Sequence, residues 1–243
     1  MTYYFSILKF TTILSYLCLT ACSTSSSNYT QVTREAQHRT KVWILNNHPL
    51  IEHPQISDLF SRSLSRLSEG VKVLGLVPET KNINSITDSN NTNYHPAIYL
   101  INSNELSAFS LCDGSIFLTR AILLSAPSIN ELMAIISHEL AHVIRRDACH
   151  VHKTKDKELE LENEFAADSI SAKILYHSYI DPEAALFGLE LSNKSTNLRQ
   201  EQEYRKEIEA RKKALLKQIQ GYPRIETKIP DERLFRKVKS LVK

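Results

Sequence analysis

The sequence predicts an α+β fold that is mainly helical, and three observations carry that expectation. Only five glycines occur in 243 residues, so few positions ask the backbone for left-handed turns. Long stretches place apolar residues three and four apart, the spacing of a helix with one buried face. One short region instead forms strand-like runs around Asp113-Gly114, a dipeptide suited to a hairpin turn.

The elements follow in chain order. Residues 54–69 read as a helix on Ile56, Leu59, Phe60, Leu64 and Leu67. The segment from Pro78 to His95 is polar and asparagine-rich, hence a loop or insertion. Ala97 to Ile101 is a short apolar strand, and Glu105 to Leu111 and Ser115 to Thr119 are two more around Cys112-Asp113-Gly114. This β-ribbon should lead directly into the next helix. Its edge at Ala108, Phe109 and Ser110 is either a plain structural hairpin or a strand that hydrogen-bonds an extended peptide.

A helix is expected at 128–146. Ser128-Ile129-Asn130-Glu131 fits a capping box, with Pro127 just outside it. Leu132, Ile135, Ile136, Leu140, Val143 and Ile144 form a broad apolar face, and Arg145 and Arg146 fall in the last turn, where cations favour the helix dipole. A second helix is expected at 157–179, and Pro182 opens another at 182–192. Residues 197–220 form a long helical stretch of alternating charge. Such a stretch is usually a solvated face, and the alternative is a lid over a cleft.

The chemistry is concentrated at Ser137-His138-Glu139-Leu140-Ala141-His142-Val143, an HExxH pattern within the 128–146 helix. Histidines four apart project from one helical face, so both neutral imidazoles can reach one Zn²⁺ at ~2.0–2.1 Å. Glu139 lies next to them and can take a proton from a water at that metal. Hydrolytic zinc sites need a third protein ligand and one open position. Glu164 and Asp168 are one turn apart in the second helix, at the switch from acidic to apolar composition at Phe165. Glu164 is the candidate third ligand, and Asp168 the residue that holds a ligating imidazole by its other ring nitrogen. The competing reading is that Glu164 continues the solvated run of Glu158, Glu160 and Glu162.

HExxH followed by Glu164-Phe165-Ala166-Ala167-Asp168, and preceded by Ala108-Phe109-Ser110 and Ile116-Phe117-Leu118-Thr119, resembles the gluzincin metallopeptidases of the HtpX and CAAX-prenyl-protease type. Within them it is most similar to the periplasmic, membrane-anchored BepA and LoiP lipoproteins. The resemblance spans roughly residues 50–240, with its specific motifs at 105–170. It implies a zincin-like domain with one Zn²⁺ per chain on His138, His142 and Glu164. It also implies Glu139 as base, Asp168 behind a histidine, and an endopeptidase acting on misfolded or stalled envelope proteins. The sequence departs from the family pattern at Ser107-Ala108-Phe109, Cys112-Asp113-Gly114 and Ala121-Ile122, where relatives have Asn-Ala-Phe, Pro-Gly-Gly and Gly-Leu. A Thr-His-Pro segment usual near the C-terminal end is replaced by Tyr222-Pro223 and Ile229-Pro230. The group that stabilises an oxyanion or gates the metal is therefore not assigned.

Phe10 to Thr20 is apolar and too short to remain as a spanning helix. It ends at Leu19-Thr20-Ala21-Cys22, followed by a serine run, and resembles a bacterial lipobox. An ordinary secretory signal with an incidental cysteine is the alternative. The lipobox implies a signal peptide at 1–21, lipid on Cys22, a tether and N-terminal segment at 22–50, and a peptidase domain at 51–243. With Ser23 in place of the aspartate that commonly retains such lipoproteins at the inner membrane, the resemblance implies the outer membrane, facing the periplasm. Cys112 and Cys149 are then left in a compartment that permits a disulfide. Cys149-His150-Val151-His152 is either a surface loop or additional metal ligation. The net charge of +3 is too small to imply nucleic-acid binding. Expected partners are unfolded envelope proteins and the membrane. A zinc-bound chaperone or assembly factor with little proteolysis is the second reading. A structural lipoprotein with a vestigial site is the third, and Glu139 speaks against it.

Overall fold

The computed structural model describes residues 38–76, 86–87, 93–94, 96–149, 157–193, 201–228 and 231–243. The expected signal segment, Cys22, most of 78–95, His150, His152 and Ile229-Pro230 lie outside the described residues, as does the side chain of Cys149.

Residues 38–47 form helix α1. Its Ile44 is buried with Ile101, Leu111 and Phe117, and Lys41 pairs with Asp113 at 3.0 Å. Helix α2 spans Pro54–Val73. Pro54 fits the first turn because its missing N–H has no intrahelical partner there. His53 caps the helix, its ring nitrogen accepting from the Gln55 N–H at 3.2 Å. The helix runs past the expected residue 69 through Gly70. A Cβ at Gly70 would collide with the Ile174 carbonyl, so the glycine permits close approach of two backbones.

The main sheet has three strands, β1 (Ala97–Ile101), β2 (Ala108–Ser110) and β3 (Ser115–Thr119), in the order β1-β3-β2. β1 and β3 are parallel, with Ala97 opposite Ser115; β2 and β3 are antiparallel, with Phe109 opposite Phe117. All five β3 residues are buried, as a central strand demands. Phe117 stacks between Tyr99 and Phe109, each ring centroid 5.0 Å away. Leu50 bridges to Ile101 on the outer side of β1, which leaves β2 as the opposite edge. A two-residue ladder joins Ile86–Thr87 to Asn93–Tyr94.

The ribbon does not lead directly into the motif helix. Thr119 ends β3 and also caps a short helix, α3 (Arg120–Ser125), its hydroxyl accepting from the Ile122 N–H at 3.4 Å. The ribbon is also widened by the parallel strand β1, which makes a mixed sheet.

Helix α4 spans Ile129–Arg145, and Ser128 and Glu131 form its capping box. A second chain segment completes the cap, since Glu232 Oε2 accepts from the Ile129 N–H at 3.0 Å. Helix α5 spans Lys157–His177. Small buried residues, Ser137 and Ala141 on α4 and Ala167 and Ser171 on α5, let the two helices pack closely. Ser137 Oγ donates to the Ser171 carbonyl at 3.2 Å across that contact. The helix expected from Pro182 is a 3₁₀ turn, Pro182–Ala185, followed by α6, Leu186–Asn193.

Helix α7 spans Glu201–Gln220. It is not a solvated helix throughout. Ile208, Arg211, Leu215 and Ile219 are buried on one face, and the three apolar ones pack with Ala172 and Leu189. Spacings of 3, 4 and 4 make this a helical stripe, hidden in the sequence by the charges between its members. Helix α8, Glu232–Leu241, buries Phe235 and Val238 in the core shared with α2 and α4. No described helix is long and apolar enough to cross a membrane.

Candidate metal centre

The site forms where α4 meets α5. His138 and His142 are one turn apart on α4, and their rings lie 4.7 Å between centroids at 82°. Their Nε2 atoms are 3.1 Å apart. Glu164 on α5 faces both: Oε2 lies 3.5 Å from His138 Nε2, and Oε1 lies 3.5 Å from His142 Nε2. The three residues form a potential metal-binding group among the described residues.

These distances test whether an ion fits. Four arms of ~2.0–2.1 Å in a tetrahedron place ligand atoms ~3.3 Å apart. The Nε2 atoms are 3.1 Å apart and each lies 3.5 Å from one of the two Glu164 oxygens, separations near that value. Two imidazoles and one carboxylate also suit zinc chemically.

Each imidazole is held from behind. His138 Nδ1 lies 3.1 Å from Asp168 Oδ1, one turn beyond Glu164. His142 Nδ1 lies 2.8 Å from Asp147 Oδ2. A carboxylate at Nδ1 keeps the proton there and leaves the Nε2 lone pair for a ligand. Both carboxylates in turn carry an arginine. Arg145 Nε donates to Asp147 Oδ2 at 3.1 Å, and its Nη2 donates to Asn163 on α5 at 2.8 Å. Arg211 donates from Nε to Asp168 Oδ2 at 2.7 Å and from Nη2 to Asp168 Oδ1 at 2.9 Å. Arg211 Nη1 also reaches Glu164 Oε2 at 2.9 Å.

Electrostatics follow from this packing. Burial disfavours charge on His138, but Asp168 and Glu164 outweigh it and raise its pKa to about 10. Burial likewise opposes charge on Asp168, yet His138 and Arg211 hold its carboxyl below the ordinary range. Glu164 is held low against burial by His138, His142 and Arg211. A metal ligand must be deprotonated, so an ion held by His138 would displace a proton from it. Glu139 is buried at 7% exposure beside His138.

The residues expected from the sequence lie as follows. His138, His142 and Glu164 are brought together, Asp168 is placed on His138, and Glu139 is buried in the same helix. Ala108, Phe109 and Ser110 form the edge strand β2, which packs beside α4. Cys112 is disulfide-bonded; the side chain of Cys149, its expected partner, lies outside the described residues.

Two residues escaped the sequence reading. Asp147 lies five positions after His142, a spacing that does not share a helical face. It reaches the ring because α4 ends at Arg145 and the capping Arg146, with a left-handed φ of 62°, turns the chain back. A non-glycine residue there costs of order 1–3 kcal/mol, which the bonds to Asp147 help to offset. Arg211 comes from α7, whose alternating charges masked its inner face.

Residues 80–154 match the model of peptidase family M48. The match takes in the sheet, the HExxH helix and Asp147, and ends before Glu164, Asp168 and Arg211. It supports an M48 metallopeptidase, and hence a protease function in general. No curated protein matches the chain.

Proposed function

We propose that this chain, with its match to peptidase family M48, is a zinc-dependent endopeptidase anchored by lipid at Cys22. We place it at the outer membrane, facing the periplasm, where it would cleave misfolded or stalled envelope proteins. The observation that carries the enzymatic part is the convergence of His138, His142 and Glu164, with the Nε2 atoms 3.1 Å apart and a Glu164 oxygen 3.5 Å from each, a spacing suited to one ion. The compartment and the substrate class rest on the lipobox-like Leu19-Thr20-Ala21-Cys22 and on the resemblance to periplasmic lipoprotein peptidases.

Zinc, when bound, supplies a Lewis acid that polarises the scissile carbonyl and brings the pKa of a water toward ~7. His138, His142 and Glu164 would hold it. Glu139 takes the proton from the attacking water and returns it to the leaving amine. Asp168 and Asp147 keep both Nε2 atoms turned inward. The edge strand at Ala108, Phe109 and Ser110 offers backbone hydrogen bonds to a substrate in extended form. Extended binding selects unfolded over folded protein, because a folded segment has already paired its backbone.

The test uses the mature chain and casein. The wild type should cleave casein, and a chelator should stop it. Glu139→Gln should keep its zinc and lose cleavage, since the residue is a base and not a ligand. Zinc lost from a folded Glu139→Gln protein would overturn that role. Casein bound but never cleaved by the zinc-loaded wild type would favour the chaperone reading. Fatty-acid labelling that persists in Cys22→Ser would remove the anchor.

A further inference from the structure

We propose that Arg211 is a positioning residue that orients the carboxylates of Glu164 and Asp168 and ties helix α7 to the metal site. The proposal rests on the metallopeptidase reading above. Arg211 is 9% exposed, and all three of its guanidinium nitrogens are engaged. Burying a guanidinium is costly unless charge and hydrogen bonds compensate it. Here two carboxylates do so, and both belong to the site.

The placement of the Glu164 carboxylate is the informative detail. Arg211 Nη1 holds Glu164 Oε2 at 2.9 Å. That oxygen also lies 3.5 Å from His138 Nε2, and Oε1 lies 3.5 Å from His142 Nε2. Holding Oε2 therefore fixes the plane in which the carboxylate faces both imidazoles. The remaining nitrogens form a fork on Asp168, whose Oδ1 also faces His138 Nδ1 at 3.1 Å. Arg211 therefore sets the planes of both carboxylates at once. Lysine cannot replace it in kind, because an ammonium is a point charge without a planar fork.

The same contacts define α7. Ile208, Leu215 and Ile219 fix the helix against Ala172 and Leu189, and Gln218 Nε2 donates to the Ser169 carbonyl at 2.9 Å. Helix α7 is a fixed wall of the site, 43 residues in sequence from the aspartate it grips. It is not a loose cover.

The experiment measures zinc affinity by competition with a chromophoric chelator, and the visible spectrum of the cobalt-substituted protein. Wild type, Arg211→Met and Arg211→Lys are compared in the full mature chain. Groups behind metal ligands typically contribute ~10–100-fold to metal affinity, and Arg211→Met should lose zinc affinity in that range. Its cobalt bands should change, because the Glu164 and Asp168 carboxylates are no longer held in orientation. Arg211→Lys, which keeps a buried cation if the methionine variant does not fold, should recover affinity only in part and retain the altered spectrum. Wild-type affinity and an unchanged cobalt spectrum in either folded variant would overturn the proposal while leaving the metallopeptidase reading intact. A wild type that binds neither zinc nor cobalt would overturn both.

Discussion

At the residue scale, the site consists of two imidazoles, each backed by an aspartate that an arginine holds. Asp147 is the member that family motifs and helical spacing do not reveal. Asp147→Ala should lower zinc affinity by ~10–100-fold while the fold persists. Chelator competition measures this, and unchanged affinity would remove Asp147 from the site. His138 also sets a pH dependence in chelator-treated protein. His138 has its pKa raised from 6.5 to about 10 in the folded chain. Its contribution to stability is thus fully present below pH 6.5 and lost as pH rises through about 10. Asp168 and Glu164 are lowered, so their contributions are present above the ordinary carboxylate range and lost as pH falls through the folded values. Urea midpoints of the chelated protein should fall between pH 7 and 10, and His138→Asn should flatten that decline. His138, Glu139 and His142 were legible in the sequence because one helical turn relates them. Glu164 and Asp168 were legible because they too are one turn apart, at a change of composition. Asp147 and Arg211 were not, because one depends on a left-handed residue and the other on a contact across 43 residues.

At the scale of elements, α4 carries the histidines, and its neighbours decide how close α5 can bring its carboxylates. The α4 boundary was readable because Ser128, Glu131 and Pro127 mark it chemically. The strands Ala97–Ile101 and Ser115–Thr119 were readable as short apolar runs. Helix α3 was not, since Thr119 serves as both the last strand residue and a cap, and six residues give no periodicity. The buried face of α7 was not, since Ile208, Leu215 and Ile219 are sparse among charges. Packing also explains a glycine inside a helix. Gly70 lets α2 approach the Ile174 carbonyl of α5. Gly70→Ala should therefore destabilise the protein despite alanine's higher helix propensity, by ~1–3 kcal/mol as overpacking does. Chemical denaturation reads the change, and a more stable alanine variant would show that the helices can separate without cost.

At the scale of the molecule, a mainly helical frame with one mixed sheet joins a matched stretch, residues 80–154, to two unmatched ones. The matched stretch contributes His138, His142, Glu139 and the edge strand β2. The chain beyond it contributes Glu164, Asp168 and Arg211. The segment after helix α1 pairs with the outer edge of β1 through Leu50 and Ile51, so β2 is the sheet edge beside α4. The central claim is that one metal ion, held jointly by α4 and α5, makes this frame a peptidase. Titrating zinc back into chelated mature protein, while following cleavage of denatured substrate, tests it most directly. Cleavage should rise linearly and stop at one zinc per chain, and Glu164→Ala should show no such break. Cleavage that persists without zinc, or one bound zinc per chain with no cleavage, would contradict the claim.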